Sequence, residues 1–260
     1  MLQLRRLRLS TEGAHAHWPE GYDRVVHETV DSTMLEAARI APSLTFPTWI
    51  MAHQQTAARG RRGRPWIVPK GNLNATLVFK PHCSPADAAR RSFLAANALF
   101  DALAIYVQPE KLSLKWPNDV LLSGGKVAGI LLESSGQGGA VDWLSIGIGV
   151  NLADVPSGVT EAAFAPTSLR AAGGWDVEPE DFLAVLANAY AEQEELLQTQ
   201  GFAHIRDIWL SRAARLGEVI TARTGREEIT GLFQTVDLDG SLVLQTSQGP
   251  RVIPAADVYF

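Results

Sequence analysis

Trp143-Leu144-Ser145-Ile146-Gly147-Ile148-Gly149-Val150-Asn151 alternates without a fault. In an extended chain Leu144, Ile146, Ile148 and Val150 share one face, and Ser145, Gly147, Gly149 and Asn151 share the other. The first face belongs in a core. The second is nearly bare of side chains, and glycine inside a strand marks the close approach of a ligand or another backbone. Upstream, residues 112–122 and 126–133 read as strands joined at Gly124-Gly125, a turn that would set Asp119 and Lys126 on one face. Pro117 implies a bulge or an edge nearby. Residues 49–52 and 74–80 read as strands on either side of Arg59-Gly60-Arg61-Arg62-Gly63-Arg64-Pro65-Trp66, which makes that stretch a loop.

Helix signals fill the intervals. Residues 25–30 form a short strand, after which Thr33-Met34-Leu35-Glu36 reads as a capping box opening a helix to about Ile40, ended by Pro42 and Pro47. Ser84-Pro85-Ala86-Asp87 starts another helix, with Phe93, Ala96, Phe100 and Leu103 recurring along one face. Residues 180–200 and 202–214 read as two further helices. Beyond Leu216 the character changes to short β runs at 218–222, 228–236, 241–245 and 251–253, with Asp239-Gly240 as a hairpin signal. The expected organisation is therefore a large unit, residues 1–215, and a small barrel, residues 216–260.

Apolar residues make up 46% of the 260, enough for a packed core. A net charge of -5 argues against a broad nucleic-acid-binding surface, so the positive charge that exists has a local task. Cys83 is alone, which excludes an intramolecular disulfide and a cysteine zinc cluster and fits a reducing cytoplasm. The basic start, Met1 to Leu9, is followed by Glu12, His15 and His17 where a signal peptide needs an unbroken apolar run, so it reads as a mature N-terminus. No window approaches the roughly 18 apolar residues of a membrane span.

Four guanidinium groups and two glycines within residues 59–64 suit a mobile loop closing on an anion, because forked Arg donors match phosphate and carboxylate oxygens. Lys115-Trp116-Pro117-Asn118-Asp119, with Lys126 and Gly129 after it, adds two cations and a carboxylate suited to magnesium. Together they point to nucleotide chemistry on a carboxylate. Taken singly the motifs have blander readings: Asp31-Ser32-Thr33 as a helix cap, Trp116 as core, Asp119 as a turn cap, the Arg run as a solvated patch. The six histidines show no ligand spacing, and Cys83 reads as a structural thiol.

The order of these motifs carries a resemblance. Asp31-Ser32-Thr33, Gln54-Gln55-Thr56-Ala57-Ala58 running into the Arg loop, Lys115 to Asp119, Gly125-Lys126-Val127-Ala128-Gly129-Ile130-Leu131 and Gly149-Val150-Asn151-Leu152 together resemble the biotin–protein ligases. The resemblance implies an α+β fold: a mixed β-sheet flanked by helices, of the class II synthetase-like kind, plus an SH3-like C-terminal domain. It implies two steps, in which biotin and MgATP give biotinyl-5'-adenylate and a lysine of a carboxylase's biotin carboxyl carrier domain then attacks it. Arg59, Lys115 and Lys126 are the implied catalytic groups. Ser32, Thr33, Gln55, Arg59, Arg61, Lys126 and Gly129 would bind biotin, with Ser32, Thr33 and Gln55 on the ureido ring and Lys126 on the carboxyl. Arg61, Arg62, Arg64, Trp66, Lys115, Asn118 and Asn151 would bind ATP, and Asp119 would hold magnesium. Two departures stand out: Ala58 replaces the family's usual first loop glycine, and Met34 an asparagine that often follows Ser-Thr.

Some members of that family carry an N-terminal DNA-binding domain. About 30 residues precede the first motif here, too few for one, so the expected partners are biotin, ATP and the carrier domain, without nucleic acid or membrane, as a monomer or a homodimer in the cytoplasm. The rival activities are a lipoate or octanoate transferase of the same superfamily and a non-catalytic biotin sensor.

Overall fold

The computed structural model describes residues 17–64, 66–67, 69–155 and 165–260. The reading of residues 1–9 as a mature N-terminus lies outside them, as does Pro65. The larger part is a seven-stranded sheet made of β1 (Asp23–Val30), β2 (Thr48–Gln55), β3 (Leu73–Phe79), β4 (Leu112–Lys115), β5 (Asp119–Leu122), β6 (Gly125–Ser135) and β7 (Trp143–Val150). Its order is β1-β2-β3-β7-β6-β5-β4, with β1 parallel to β2 and every other pairing antiparallel. Among the described residues three helices of eight residues or more accompany it: α1 (Thr33–Ile40), α2 (Pro85–Leu103) and α3 (Pro179–Ser211).

The alternation of β7 decides which face is which. Leu144, Ile146, Ile148 and Val150 join Leu73, Ala75, Leu77 and Phe79 of β3 and Trp49 and Met51 of β2 in one large core with α2 and α3. There Phe93 meets Phe202 and Trp209 edge-on, at 5.5 and 5.3 Å between ring centroids. The other face is covered only in part, by α1, whose Ala37 packs with Ile50 and Val78. The rest of that face, around Asn74, Gly147 and Gly149, lines a cleft.

Several local expectations need correction. The cap of α1 is Ser32, whose hydroxyl accepts from Met34 N at 3.3 Å, and Thr33 is already helical. Thr33 is drawn off by tertiary bonds, its Oγ1 bonding Gln55 Oε1 and accepting from Thr76. Residues 112–122 are two antiparallel strands, with Lys115 opposite Asp119, because the chain reverses through Trp116-Pro117-Asn118 around a cis Trp116–Pro117 bond. The β5–β6 turn is Ser123-Gly124, both left-handed at φ 51° and 82°, one residue before the expected Gly-Gly pair. The break between the last two expected helices is real: Gly201, at φ 76° and ψ 173°, interrupts α3.

The C-terminal part is a five-stranded antiparallel sheet, β8 (Val219–Arg223), β9 (Glu228–Val236), β10 (Leu242–Thr246), β11 (Gly249–Ile253) and β12 (Asp257–Tyr259). Its order is β11-β10-β9-β8-β12. The sequence reading missed β12, which is only three residues long. The β9–β10 hairpin docks on the larger sheet: the Trp116 indole N–H donates to Gly240 O at 3.0 Å, and Arg90 pairs with Asp239. Trp116 is buried, as its core reading required.

Candidate active site

The cleft has a volume of about 760 Å³ and gathers most of the residues singled out from sequence. Ser32, Thr33, Gln55, Arg59, Arg61, Arg64, Trp66, Lys115, Asn118, Asp119, Lys126, Gly129 and Asn151 all line it. Arg62 sits beside them on the loop. Residues separated by more than 100 positions thus converge because β7, β6 and β5 are sheet neighbours and the Arg loop leaves β2 above them.

At one end lies a neutral polar relay. Thr76 Oγ1 donates to Thr33 Oγ1 at 2.8 Å, and Gln55 Oε1 accepts from Thr33 N at 2.8 Å and from Thr33 Oγ1 at 3.2 Å. Ser32 and Thr33 are buried. At the other end lies a charged cluster. Asp119 Oδ1 stands 2.5 Å from Lys126 Nζ, and its Oδ2 is 3.4 Å from Lys115 Nζ. Burial alone would raise the Asp119 carboxyl, but Lys126 and Lys115 outweigh it and hold it below the usual carboxylate range. Burial lowers the Lys115 ammonium, with Asp119 opposing.

The Arg loop arches between these ends, its guanidiniums held from three places: β6, the β4–β5 turn and β12. Arg59 pairs with Glu133 of β6 at 3.0 Å, and Arg61 donates to Asn118 Oδ1 at 3.1 Å. Arg62 and Arg64 both reach Asp257 of β12, at 2.6 and 3.2 Å. Burial draws Arg61 below its ordinary value. Arg62 takes a left-handed φ of 57° followed by Gly63 at 71°, which folds the loop tightly enough for Gly60 N to donate to Arg64 O at 2.8 Å. Ala58 is not among the left-handed residues, so its replacement of glycine imposes no backbone strain here.

The bare face of β7 is partly covered by side chains. A Cβ built on Gly149 would lie 2.5 Å from Trp66 Nε1, and one on Gly147 would lie 2.7 Å from Met34 Sδ. The two glycines therefore seat an indole and a thioether. Lys126 Nζ sits 5.4 Å from the Trp66 ring centroid, a cation–π contact, and Gly129 leaves room for both groups. Asn151 holds the loop beneath, donating to Thr167 O at 3.0 Å, while its Oδ1 faces Asn72 Nδ2 at 3.4 Å.

The chain matches the Biotin/lipoate A/B protein ligase family over residues 26–151 and the Biotin protein ligase C terminal domain over residues 216–260. It is 52% identical, over 233 residues, to the biotin--[acetyl-CoA-carboxylase] ligase of Paracoccus denitrificans, an alignment covering 88% of this chain and 97% of that protein. The chain belongs to the biotin/lipoate protein ligase family. Within that family it is also 30% identical over 243 residues to the bifunctional ligase/repressor BirA of Bacillus subtilis, covering 92% of this chain and 74% of that one. The biotin protein ligase of Aquifex aeolicus, solved with biotin and ATP, superposes with a TM-score of 0.74 over 91% of this chain and 97% of its own. At 24% identity that likeness shows a shared fold.

Sequence reasoning missed Asn74, Thr76, Glu133, Arg223, Asp257 and Tyr259, which the structure brings to this cleft or against the side chains that line it. A signal for two of them was present. In Leu73-Asn74-Ala75-Thr76-Leu77 the polar residues fall on alternate positions of a strand otherwise wholly apolar, so both must face a polar site. Glu133 and Asp257 had none, since their partners lie 74 and 195 residues away.

Proposed function

We propose that this protein joins biotin to a lysine of a biotin carboxyl carrier domain through biotinyl-5'-adenylate. A biotin carboxylate oxygen attacks the α-phosphorus of ATP, the bond to the bridging oxygen breaks, and pyrophosphate departs. The carrier's lysine amine then attacks the acyl carbon, losing a proton as the amide forms, and AMP leaves with the electron pair. The observation that carries this reading is the Lys115–Asp119–Lys126 cluster beneath four loop arginines. Joining two anions needs positive charge in a water-poor space, and here the four loop arginines with Lys115 and Lys126 outnumber Asp119, Glu133 and Asp257, with Arg223 a seventh cation at the cleft.

In this reading Ser32, Thr33 and Gln55 bind the ureido end and Lys126 the biotin carboxylate. Lys115, Arg61, Arg62 and Arg64 take the phosphates, and Trp66, Asn118 and Asn151 border the nucleotide. Arg59 closes over the reacting carboxylate. No enzyme nucleophile is required, because the adenylate is itself activated, and loop closure shields it from water. Arg59, Arg62 and Arg64 now rest on carboxylates and Arg61 on the Asn118 amide; incoming substrate anions would replace these partners, and Arg62 and Arg64 would return to Asp257 once pyrophosphate has left.

Magnesium would enter with the nucleotide. Among the described residues there is no group of three or more His, Cys, Asp or Glu side chains able to hold a metal. Asp119 would offer an ion carried on phosphate oxygens one protein carboxylate, once Lys126 and Lys115 turn from it to the substrate anions. Such an ion would offset phosphate charge during the first step.

The proposal places the protein in the cytoplasm, with residues 1–215 and 216–260 as its units, as a monomer or a homodimer, and without a nucleic-acid partner. No helix among the described residues is long and apolar enough to cross a membrane. The test is mass-spectrometric detection of an acyl-adenylate after mixing the protein with MgATP and biotin, lipoate or octanoate in parallel. Biotinyl-adenylate alone supports the reading. A lipoyl or octanoyl product transfers it to the related transferases, and tight biotin binding without any adenylate makes the protein a sensor.

A further inference from the structure

Asn74 lies on β3 with its side chain on the cleft side and is 1% exposed. Neither its Oδ1 nor its Nδ2 has a hydrogen-bond partner among the described residues. A buried carboxamide with both ends unpaired is costly, and native interiors rarely keep one without a use. Its neighbours locate that use. Thr76, two residues on and on the same face, begins the relay to Thr33 and Gln55, and Gly149, opposite Asn74 in the β3–β7 ladder, carries the Trp66 indole.

The relay itself is short of acceptors. Gln55 Oε1 already accepts twice from Thr33, Thr33 Oγ1 already accepts from Thr76, and Ser32 Oγ accepts from Met34 N. A cyclic urea brings two N–H donors beside one carbonyl. A carboxamide offers the complementary pair, an acceptor and a donor side by side, and can meet one N–H and the carbonyl at once.

We propose that Asn74 is a specificity-determining residue that binds the cyclic urea of the substrate through its carboxamide, Oδ1 accepting a ring N–H and Nδ2 donating to the ring carbonyl. The inference rests on the biotin reading above and adds to it a residue that discriminates the urea from rings lacking that N–H. It also explains why an amide and a threonine share one face of an otherwise apolar strand: the site is built for a neutral, two-sided hydrogen-bonding ring.

The test is calorimetric binding of biotin, of ATP, and of two biotin analogues in which a ring oxygen replaces one or the other ureido N–H. In the unaltered protein one analogue should bind roughly tenfold more weakly than biotin, the effect of one buried hydrogen bond lost with its partner left unpaired. In Asn74→Leu, biotin should bind roughly tenfold or more weakly, ATP as before, and that same analogue should suffer no further loss relative to biotin. ATP affinity serves as the check on folding. The proposal is overturned if both analogues match biotin in the unaltered protein, or if Asn74→Leu keeps full biotin affinity or loses ATP instead. Should the unaltered protein bind no biotin, the biotin reading itself falls.

Discussion

Lys126 Nζ stands 2.5 Å from Asp119 Oδ1, so the residue assigned to the substrate carboxylate already holds a carboxylate of its own protein. Asp119 keeps the ammonium aimed into the cleft, and Lys115 shares the load at 3.4 Å. Replacing Lys126 by Ala removes a charge-assisted hydrogen bond worth about 1.5–3 kcal/mol. Adenylate formation, followed by pyrophosphate release, should slow roughly tenfold to a hundredfold on that basis. Unchanged turnover in Lys126→Ala would remove Lys126 from the reaction.

Lys115 gives a prediction in pH. Its native pKa is lowered from 10.5, with burial the largest cause, so it binds its proton less tightly folded than unfolded. The ammonium's cost to folding is therefore present while it is charged and is relieved as pH rises through the lowered value. Chemistry that needs the charge should accordingly fail on the alkaline side before pH 10.5 is reached. In Lys115→Arg the guanidinium stays charged, and the alkaline limb of the rate profile should move upward. An unmoved limb would mean that another group sets it.

Asp257 anchors both Arg62 and Arg64 from the C-terminal sheet. The arginine side chains are about half exposed or more, so each pair is worth only about 0.2–1 kcal/mol. Loss of both in Asp257→Ala should loosen the loop and speed adenylate escape roughly threefold to tenfold, with the melting temperature nearly unchanged. Stopped-flow release of the adenylate measures it. Release at the unaltered rate would show that the loop closes without this anchor.

The two seat glycines should differ in tolerance. In Gly149→Ala the new methyl meets the rigid Trp66 indole at 2.5 to 2.7 Å, whereas in Gly147→Ala it meets the flexible Met34 thioether at 2.7 and 3.0 Å. Gly149→Ala should therefore displace Trp66 from Lys126 and weaken ATP binding, while Gly147→Ala repacks at lower cost. Titrations with ATP compare them, and equal losses in the two variants would contradict the assignment of Trp66 to the nucleotide.

Much of this site was legible in the sequence because local chemistry announced it. The alternation of residues 143–151 identified the core and cleft faces of β7, and the spacing of Asp119 and Lys126 predicted their shared face even though the turn between them was misplaced by one residue. What escaped was set by long-range packing. Thr33 carries the pattern of a cap, yet Gln55 and Thr76 claim its hydroxyl, and the cap passes to Ser32. Residues 112–122 carry the composition of one strand, and only the reversal at Trp116-Pro117-Asn118 divides them. Asp257 reads as an ordinary surface acid until the fold brings it against the Arg loop.

The latch from Asp257 to Arg62 joins residues 195 apart in the chain. A ribosome adding about 5–20 residues per second needs roughly 10–40 s to travel between them. By residue 150 the nascent protein has every strand of its larger sheet, with Glu133 and Asn118 in place for Arg59 and Arg61, but Arg62 and Arg64 must wait for Asp257. Completion of the cleft is thus deferred to a late stage of synthesis, and a chain stalled before β12 would present substrate-binding groups under a loop held by only two of its four arginines.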